Sequence, residues 1–237
     1  WNYLKGTEKE VDQIGLTMRA SGLQPEVRKG YAATEEVFKM IGQSDGVTSI
    51  HPVTMSPRIL HFATHGFFYP NPKSRKEERG MRKEEGGKRA EPAFKVSELP
   101  MMRSGLILAG GNYAWAAGKP YRPDMEDGIL TAYEIARMDL SHTELVVLSA
   151  CETGLGDIQG DEGVYGLQRA FKIAGAKYLI MSLWQVPDAA TQELMKAFYQ
   201  KWLAQKMPIP DAFRAAQKEM QEKYQHPFFW AGFVLVE

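Results

Sequence analysis

One short run of residues constrains the fold of this chain more than any other stretch. Leu145–Leu148 is a continuous apolar run, rich in β-branched residues and bounded by small ones. Such a run is too short for a buried helix and is typical of a central parallel strand that is covered on both faces. It leads through Ser149 and Ala150 to Cys151, the one cysteine in the sequence. In open α/β sheets the ligand crevice lies outside the carboxyl ends of the strands, so we expect the thiol there.

A lone cysteine is more often a small buried hydrophobe than a nucleophile, but a second stretch favours the nucleophile. Ile59–Ala63 also has the pattern of a buried strand, and it leads directly into Thr64, His65 and Gly66. An imidazole and a thiol at the same edge of one sheet are the two parts of a cysteine nucleophile with its base. Because a glycine permits close backbone approach, the N–H groups of Gly66 and Cys151 are predicted to stabilise an oxyanion.

Seven segments, spread over nearly the whole chain in order, resemble the CHAT family of caspase-like proteins, which are relatives of caspases, separases and gingipains. They are LKGTEKEVDQI (4–14), ILHFATHGFF (59–68), SGLILAGGN (104–112), DGILTAYEIARMDL (127–140), ELVVLSACETGLG (144–156), GDEGVYGLQRAFKIAGAKYLIMSLWQVPD (160–188) and HPFFWAGFVL (226–235). The resemblance implies an α/β fold, a caspase-like three-layer sandwich whose mostly parallel central sheet is flanked by helices. It also implies a peptidase dyad of His65 and Cys151.

The resemblance implies one domain over residues 1–237, with a large-subunit-like part at about 1–155 and a small-subunit-like part at about 156–237. It further implies that the loop after the strand ending at Trp184 contributes to the first substrate pocket. There Asp188 is expected to meet a basic side chain of a protein substrate. Asp188 as the N-cap of the following helix is the alternative. Arginine-specific relatives carry a carboxylate two residues before the nucleophile, where this chain has Ser149.

The remaining pattern alternates helices with strands, which favours a mostly parallel sheet. Thr7 with Glu10, and Thr131 with Glu134, each match a helix-capping box. The stretch 111–126 is predicted to be a loop. About 70–91 is strongly charged and almost without apolar residues, so we expect a mobile insertion there.

Composition narrows the function classes. The 29 basic residues balance the 29 acidic ones, so no overall charge draws the chain to nucleic acid or to an anionic membrane. No apolar run approaches the roughly 20 residues of a membrane span. A single cysteine excludes an intrachain disulfide and favours a reducing compartment, for which we predict the cytoplasm. The chain begins at Trp1 without a methionine, which predicts a fragment or a processed form with domains upstream.

Two other kinds of site are disfavoured. The glycines after Cys151 lack the spacing of a dinucleotide-binding loop, because Gln159 occupies the place of the third glycine. The close ligand spacing of a zinc site is absent, so no metal or cofactor is predicted. The other four histidines are predicted to be structural or surface residues; they are His51, His61, His142 and His226.

Two functions follow from the sequence. The first is a cysteine endopeptidase, in which Cys151 attacks the scissile carbonyl and His65 protonates the leaving amine. The second is a caspase-like signalling or scaffold module that is catalytically latent or inactive. The resemblance implies regulation in either case, because CHAT domains often follow helical-repeat modules such as tetratricopeptide repeats. An upstream module of that kind, or a separate activating protein, is therefore an expected partner.

Overall fold

The computed structural model describes residues 1, 4–42, 55–69, 97–149 and 162–237, with the backbone alone at residues 5 and 162–165. The predicted insertion at about 70–91 and the residues around Cys151 lie outside these ranges. The described α-helices are α1 (Lys5–Ala20), α2 (Glu35–Lys39), α3 (Gly111–Ala117), α4 (Ala132–Ile135), α5 (Glu162–Ile173), α6 (Asp188–Tyr199) and α7 (Ile209–Lys223). The strands are β1 (Ile59–Phe62), β2 (His65–Phe68), β3 (Ser104–Ile107), β4 (Ile129–Thr131), β5 (Leu145–Leu148), β6 (Tyr178–Ser182) and β7 (Phe233–Val236).

The central sheet has the strand order β1-β5-β6-β7. The pairs β1–β5 and β5–β6 are parallel, whereas β7 runs antiparallel to β6. All four residues of β5 are completely buried, and burying a side chain of this size contributes about 1.5–3 kcal/mol. The predicted central parallel strand is confirmed, with helices on both of its faces.

Side chains alternate between the two cores on either side of this sheet. Leu145 and Val147 pack in the core formed with α1, α6 and α7. Val146 and Leu148 pack in the core on the opposite face, which includes residues of α2, α4 and α5. This arrangement of a mostly parallel sheet between two helical layers is a caspase-like α/β fold.

A second, antiparallel sheet of order β2-β3-β4 adjoins the first and was not predicted. Its strands have three or four residues each, too few for an apolar run to reveal strand direction or sheet membership. Only Ala63 and Thr64 separate β1 from β2. The chain therefore leaves the central sheet at its carboxyl edge and enters the small sheet at His65.

The expected loop over 111–126 is wrong in its first half, where α3 lies. Two glycines in the left-handed conformation bound this helix, Gly110 at φ 94° and Gly118 at φ 71°. Between them Ala114 is buried against the small sheet. The packing of this small residue stabilises a helix whose seven residues have no amphipathic pattern.

The two predicted capping boxes have different outcomes. The box of Thr131 and Glu134 is confirmed, since Thr131 Oγ1 accepts from the Glu134 N–H and Glu134 accepts from the Thr131 N–H. The box of Thr7 and Glu10 is wrong, because α1 has Leu4 as its N-cap residue. Thr7 instead donates its hydroxyl to the Leu4 carbonyl at 2.8 Å. Glu10 lies on the buried face of α1, in line with Ile14 and Met18.

Candidate active site

Four of the residues predicted for the site are described, and they follow two strands of the central sheet: His65 and Gly66 come after β1, and Trp184 and Asp188 come after β6. In the register of β1 and β5, Phe62 pairs with Leu148. His65 lies three residues after Phe62, and Cys151 follows Leu148 at the same interval in the sequence. The Ser149 N–H donates to the Phe62 carbonyl at 3.0 Å and extends the pairing by one residue. Cys151 itself lies outside the described residues.

His65 is half-buried at the start of β2. Its ring centroid lies 6.3 Å from that of Trp1, which in turn makes an edge-to-face contact with Trp115 at 4.4 Å. The preceding residue, Thr64, donates its hydroxyl to the Ile107 carbonyl. This contact and the pairing of His65 with Ile107 fix the backbone of the histidine on the small sheet. The imidazole thus has the Trp1 ring as an aromatic neighbour, and His65 as a whole is neither fully buried nor fully exposed.

The N–H of Gly66 points away from β3. The Tyr69 N–H donates to the Arg103 carbonyl at 2.7 Å, so Tyr69 and Arg103 form a hydrogen-bonded pair of this antiparallel ladder. Because such pairs alternate, Gly66 and Leu106 form a non-hydrogen-bonded pair. The other side of β3 agrees with this pattern. The Leu108 N–H donates to the Gly128 carbonyl, so Leu106, two residues earlier, directs its backbone N–H and C=O to β4 and not to Gly66. The Gly66 N–H is therefore directed to the edge of β2 that β3 does not occupy.

Trp184 and Asp188 follow β6, on the other side of β5 from His65. Two strand spacings, roughly 10 Å, separate the ends of β1 and β6. The Trp184 indole N–H donates to the Phe228 carbonyl at 3.1 Å, and its half-buried ring packs on Gly232. The sheet thus brings these residues to the same edge as His65 but not into contact with it.

Asp188 is exposed and is the first residue of α6. The helix-cap alternative is wrong, since Pro187 is the N-cap and its carbonyl accepts from the Thr191 N–H at 3.0 Å. Within the described ranges, no hydrogen bond or ion pair engages the Asp188 carboxylate. Its side chain lies against Gly6 of α1, where a Cβ would fall 2.5 Å from Asp188 Oδ2.

Four polar side chains, here named the His61 cluster, lie beneath this edge on the α1 and α6 side of the sheet. His61 Nδ1 is 3.1 Å from the Tyr199 hydroxyl, and Nε2 is 3.0 Å from Glu10 Oε1. Ser149 Oγ, the fourth member, is 3.3 Å from Nε2. The side chains of His61 and Glu10 are only 8% and 4% exposed.

Burial raises the pKa of Tyr199 well above its ordinary value, and the nearby charge of Glu10 adds to the effect. The phenol therefore stays protonated and available as a donor. The structural role predicted for His61 agrees with its burial, but its partners were not predicted. The signal was the spacing of Glu10, Ile14 and Met18, which places a carboxylate on the apolar face of α1.

Two general features bear on the type of site. In the described part of the chain, no group of three or more His, Cys, Asp or Glu side chains is arranged to hold a metal ion. Among the helices in those same ranges, none combines the length and apolarity needed to cross a bilayer.

Comparison with known proteins gives the family. A family model described as the CHAT domain matches residues 1–237. Tetratricopeptide repeat protein 28 of Homo sapiens is 35% identical over 116 residues, which cover 48% of this chain and 5% of that protein. The protein of the same name from Mus musculus matches to the same extent. The chain thus spans a small fraction of the length of these curated relatives. Because the family model extends over the whole printed sequence and the fold is caspase-like, the chain belongs to the CHAT domain family, which is related to the caspase-like cysteine peptidases.

Proposed function

We propose that the chain is a cysteine endopeptidase that cleaves protein substrates with a dyad of His65 and Cys151. The observation that carries the proposal is the parallel register of β1 and β5, which pairs Phe62 with Leu148. Each strand leads to one reactive side chain, an imidazole or a thiol, after the same number of residues. Neighbouring parallel strands end side by side, which favours a short distance between these two groups.

The reaction divides into two steps. The Cys151 thiolate attacks the scissile carbonyl carbon, and the tetrahedral oxyanion receives hydrogen bonds from the N–H groups of Gly66 and Cys151. The intermediate collapses with cleavage of the C–N bond while the His65 imidazolium protonates the leaving amine. Water then attacks the thioester carbonyl carbon while His65 accepts its proton, and cleavage of the C–S bond releases the carboxylic acid product and restores the Cys151 thiolate with the His65 imidazolium. The outward direction of the Gly66 N–H supports its part in the first step.

The first substrate pocket is proposed to include Trp184 and Asp188. The exposed Asp188 carboxylate, which engages no described cation, favours a lysine or arginine before the scissile bond. The Trp184 ring, held by its bond to the Phe228 carbonyl, supplies a fixed aromatic wall. A charged partner for Asp188 would then come from the substrate.

An upstream tetratricopeptide-repeat module, or a separate activating protein, is the proposed regulator. The names of the curated relatives support such a module, since both are tetratricopeptide repeat proteins. The first turn of α1 contacts α6 through Gln192, whose side-chain amide donates to the Gly6 carbonyl at 3.0 Å. Movement of α1 would therefore reach the start of α6. A thiolate mechanism suits a reducing compartment, and we place the protein in the cytoplasm.

The dyad is tested by kcat/KM on a peptide library for the His65→Ala and Cys151→Ala variants and for the double variant. Each single change should abolish measurable cleavage, and the double variant should lose no more, because the two groups act as a unit. His142→Ala is the matched control, since His142 is exposed and precedes the amino end of β5. Activity that survives both single changes would overturn the proposal. An inactive wild-type protein would favour the latent scaffold function.

A further inference from the structure

The hydrogen bonds of the His61 cluster define how its ring is held. The tautomer assigned to this ring follows from its neighbours: a Tyr199 hydroxyl that donates to Nδ1 leaves the ring hydrogen on Nε2, directed to the Glu10 carboxylate. Ser149 Oγ is 3.3 Å from Nε2 and 3.3 Å from the Phe62 carbonyl. The hydroxyl can therefore donate to the carbonyl while its lone pair faces the ring N–H. One tautomer satisfies every one of these groups, and this network fixes the plane of the imidazole.

Burying the polar side chains of this cluster costs free energy of folding that an apolar core would not lose. Val147, the register partner of His61 on β5, is a fully buried aliphatic residue, as is Leu145 on the same face. A buried carboxylate with a buried imidazole pays a desolvation penalty that apolar side chains of similar volume avoid. Buried polar networks of this kind concentrate at functional sites. The cluster lies just below the carboxyl edge of the sheet, where it can position the residues that follow β1 and β5.

The cluster contacts the ends of both strands that lead to the dyad. His61 directly precedes Phe62, whose carbonyl accepts the Ser149 N–H at 3.0 Å. Ser149 precedes Cys151 by two residues, and His65 follows His61 by four. The His61 ring is held by Glu10 of α1 and Tyr199 of α6. It contacts Ser149, the last described residue before Cys151.

We propose that His61 is a positioning residue: braced by Glu10 and Tyr199, its ring fixes Ser149 and thereby the end of β5 that leads to Cys151. An effect of His61 on catalysis rests on the proposed peptidase function, whereas its contact with Ser149 and the fixing of that residue do not. Loss of the ring should misplace the thiol and lower kcat more than it raises KM, because the substrate pocket after β6 is left intact.

The kinetic test uses His61→Leu and His61→Gln in the full-length protein. The leucine variant should lower kcat by about tenfold or more with KM changed by less than about threefold. Glutamine places an amide nitrogen near the position of Nε2, so it should recover much of the loss. Leu194→Ala is the control, because it opens a cavity in the same core on α6 and replaces no member of the cluster. It should keep kcat within about twofold at a temperature where all variants are folded.

A second readout does not depend on peptidase activity. Amide hydrogen exchange at Ser149 should accelerate by about tenfold or more in His61→Leu. The amide of Leu145, which donates to the Arg58 carbonyl at the other end of β5, should be unaffected. If wild type proves inactive while Ser149 exchange still responds, the peptidase proposal fails and the positioning stands.

Unchanged exchange at Ser149 would overturn the positioning, whatever happens to kcat. A kcat that stays within twofold in an active enzyme would overturn its catalytic consequence while leaving the peptidase function in place. Should His61→Leu not fold, Ser149→Ala serves as the second variant. It removes only the hydroxyl that faces the ring, and it should lower kcat severalfold with KM nearly constant.

Discussion

His61 Nε2 and Glu10 Oε1 lie 3.0 Å apart in the core although 51 residues separate them in the chain. The contact joins the first described helix to the strand that leads to His65. Both side chains are almost completely buried, so neither can be stabilised by water if the other is lost. The pair therefore links the stability of α1 to the geometry of the sheet edge.

Replacement of Glu10 should show whether its hydrogen bond to His61 contributes to stability beyond the volume that its side chain fills. Glu10→Leu leaves His61 Nε2 with only the hydroxyl of Ser149, 3.3 Å away, as a partner, whereas Glu10→Gln retains a carbonyl oxygen in the place of the carboxylate. We expect the leucine variant to be less stable than the glutamine variant by about 1–3 kcal/mol. Urea unfolding of both variants measures the difference. Equal stabilities would show that the buried hydrogen bond contributes little.

Two glycines of α1 should respond in opposite ways to alanine. At Gly15 an added Cβ makes only ordinary contacts, at 3.6 Å or more, so Gly15→Ala should stabilise the helix by about 0.5–1 kcal/mol. At Gly6 the Cβ would lie 2.5 Å from Asp188 Oδ2, so Gly6→Ala must displace that carboxylate. Thermal melts should show a gain only for Gly15→Ala. A similar gain for both would mean that Asp188 moves aside without cost.

The proposed role of the Asp188 carboxylate in substrate specificity is tested by Asp188→Asn, which removes the negative charge and keeps the size of the side chain. A desolvated ion pair with a substrate arginine is worth on the order of 2–4 kcal/mol in the transition state. Asparagine should therefore lower kcat/KM on basic substrates by about thirtyfold or more and leave neutral substrates nearly unchanged. The measurement is a matched pair of peptides that differ only in the residue before the scissile bond. Best cleavage after an apolar or acidic residue would exclude the pocket role of Asp188.

The buried carboxyl group of Glu35 should make the stability of the protein depend on pH. Its carboxylate is buried and contacts Lys39 at 2.6 Å and the Gly128 N–H at 2.8 Å. Burial raises the pKa of Glu35 to about 7; the Lys39 ammonium opposes the rise, and the neighbouring carboxylates of Glu134 and Asp127 add to it. The folded protein thus binds this proton more tightly than the unfolded chain does. The resulting stability is fully present below about pH 4.5 and is lost as the pH rises through about 7.

Comparison of wild type with Glu35→Gln isolates this contribution, because glutamine does not titrate. The free energy of unfolding of wild type relative to the variant should fall by at most about 3 kcal/mol between pH 4.5 and pH 8. Denaturant titrations at four or five pH values in this range measure the trend. A relative stability that is flat or rises with pH would contradict the assignment.

The sequence predicted the middle of the central sheet because β5 is buried throughout and β6 is buried at four of its five residues, so that both read as continuous apolar runs. β5 and β6 lie where the apolar runs indicate, and α6 begins at Asp188, directly after Pro187. The confirmed capping box at Thr131 shows that local hydrogen-bond patterns can be read reliably where the helix begins at the expected residue. These elements are determined by local chemistry and by burial on both faces.

The errors have one cause, which is that tertiary packing decides between local alternatives. The pattern at Thr7 and Glu10 is the same as that at Thr131 and Glu134, but Leu4 caps α1, so Glu10 falls on the buried face. No local pattern could predict that His61, Tyr199 and Ser149 would meet this carboxylate, because the four residues belong to separate elements. The placement of three short strands in a separate antiparallel sheet was missed for the same reason.

The most direct test of the central claim is to identify new amino termini after the full-length protein is incubated with a proteome-derived peptide library. We expect cleavage fragments that appear with wild type, disappear with Cys151→Ala and His65→Ala, and share a basic residue before the cut. Fragments that persist in the Cys151→Ala sample, or no fragments with wild type, would contradict it.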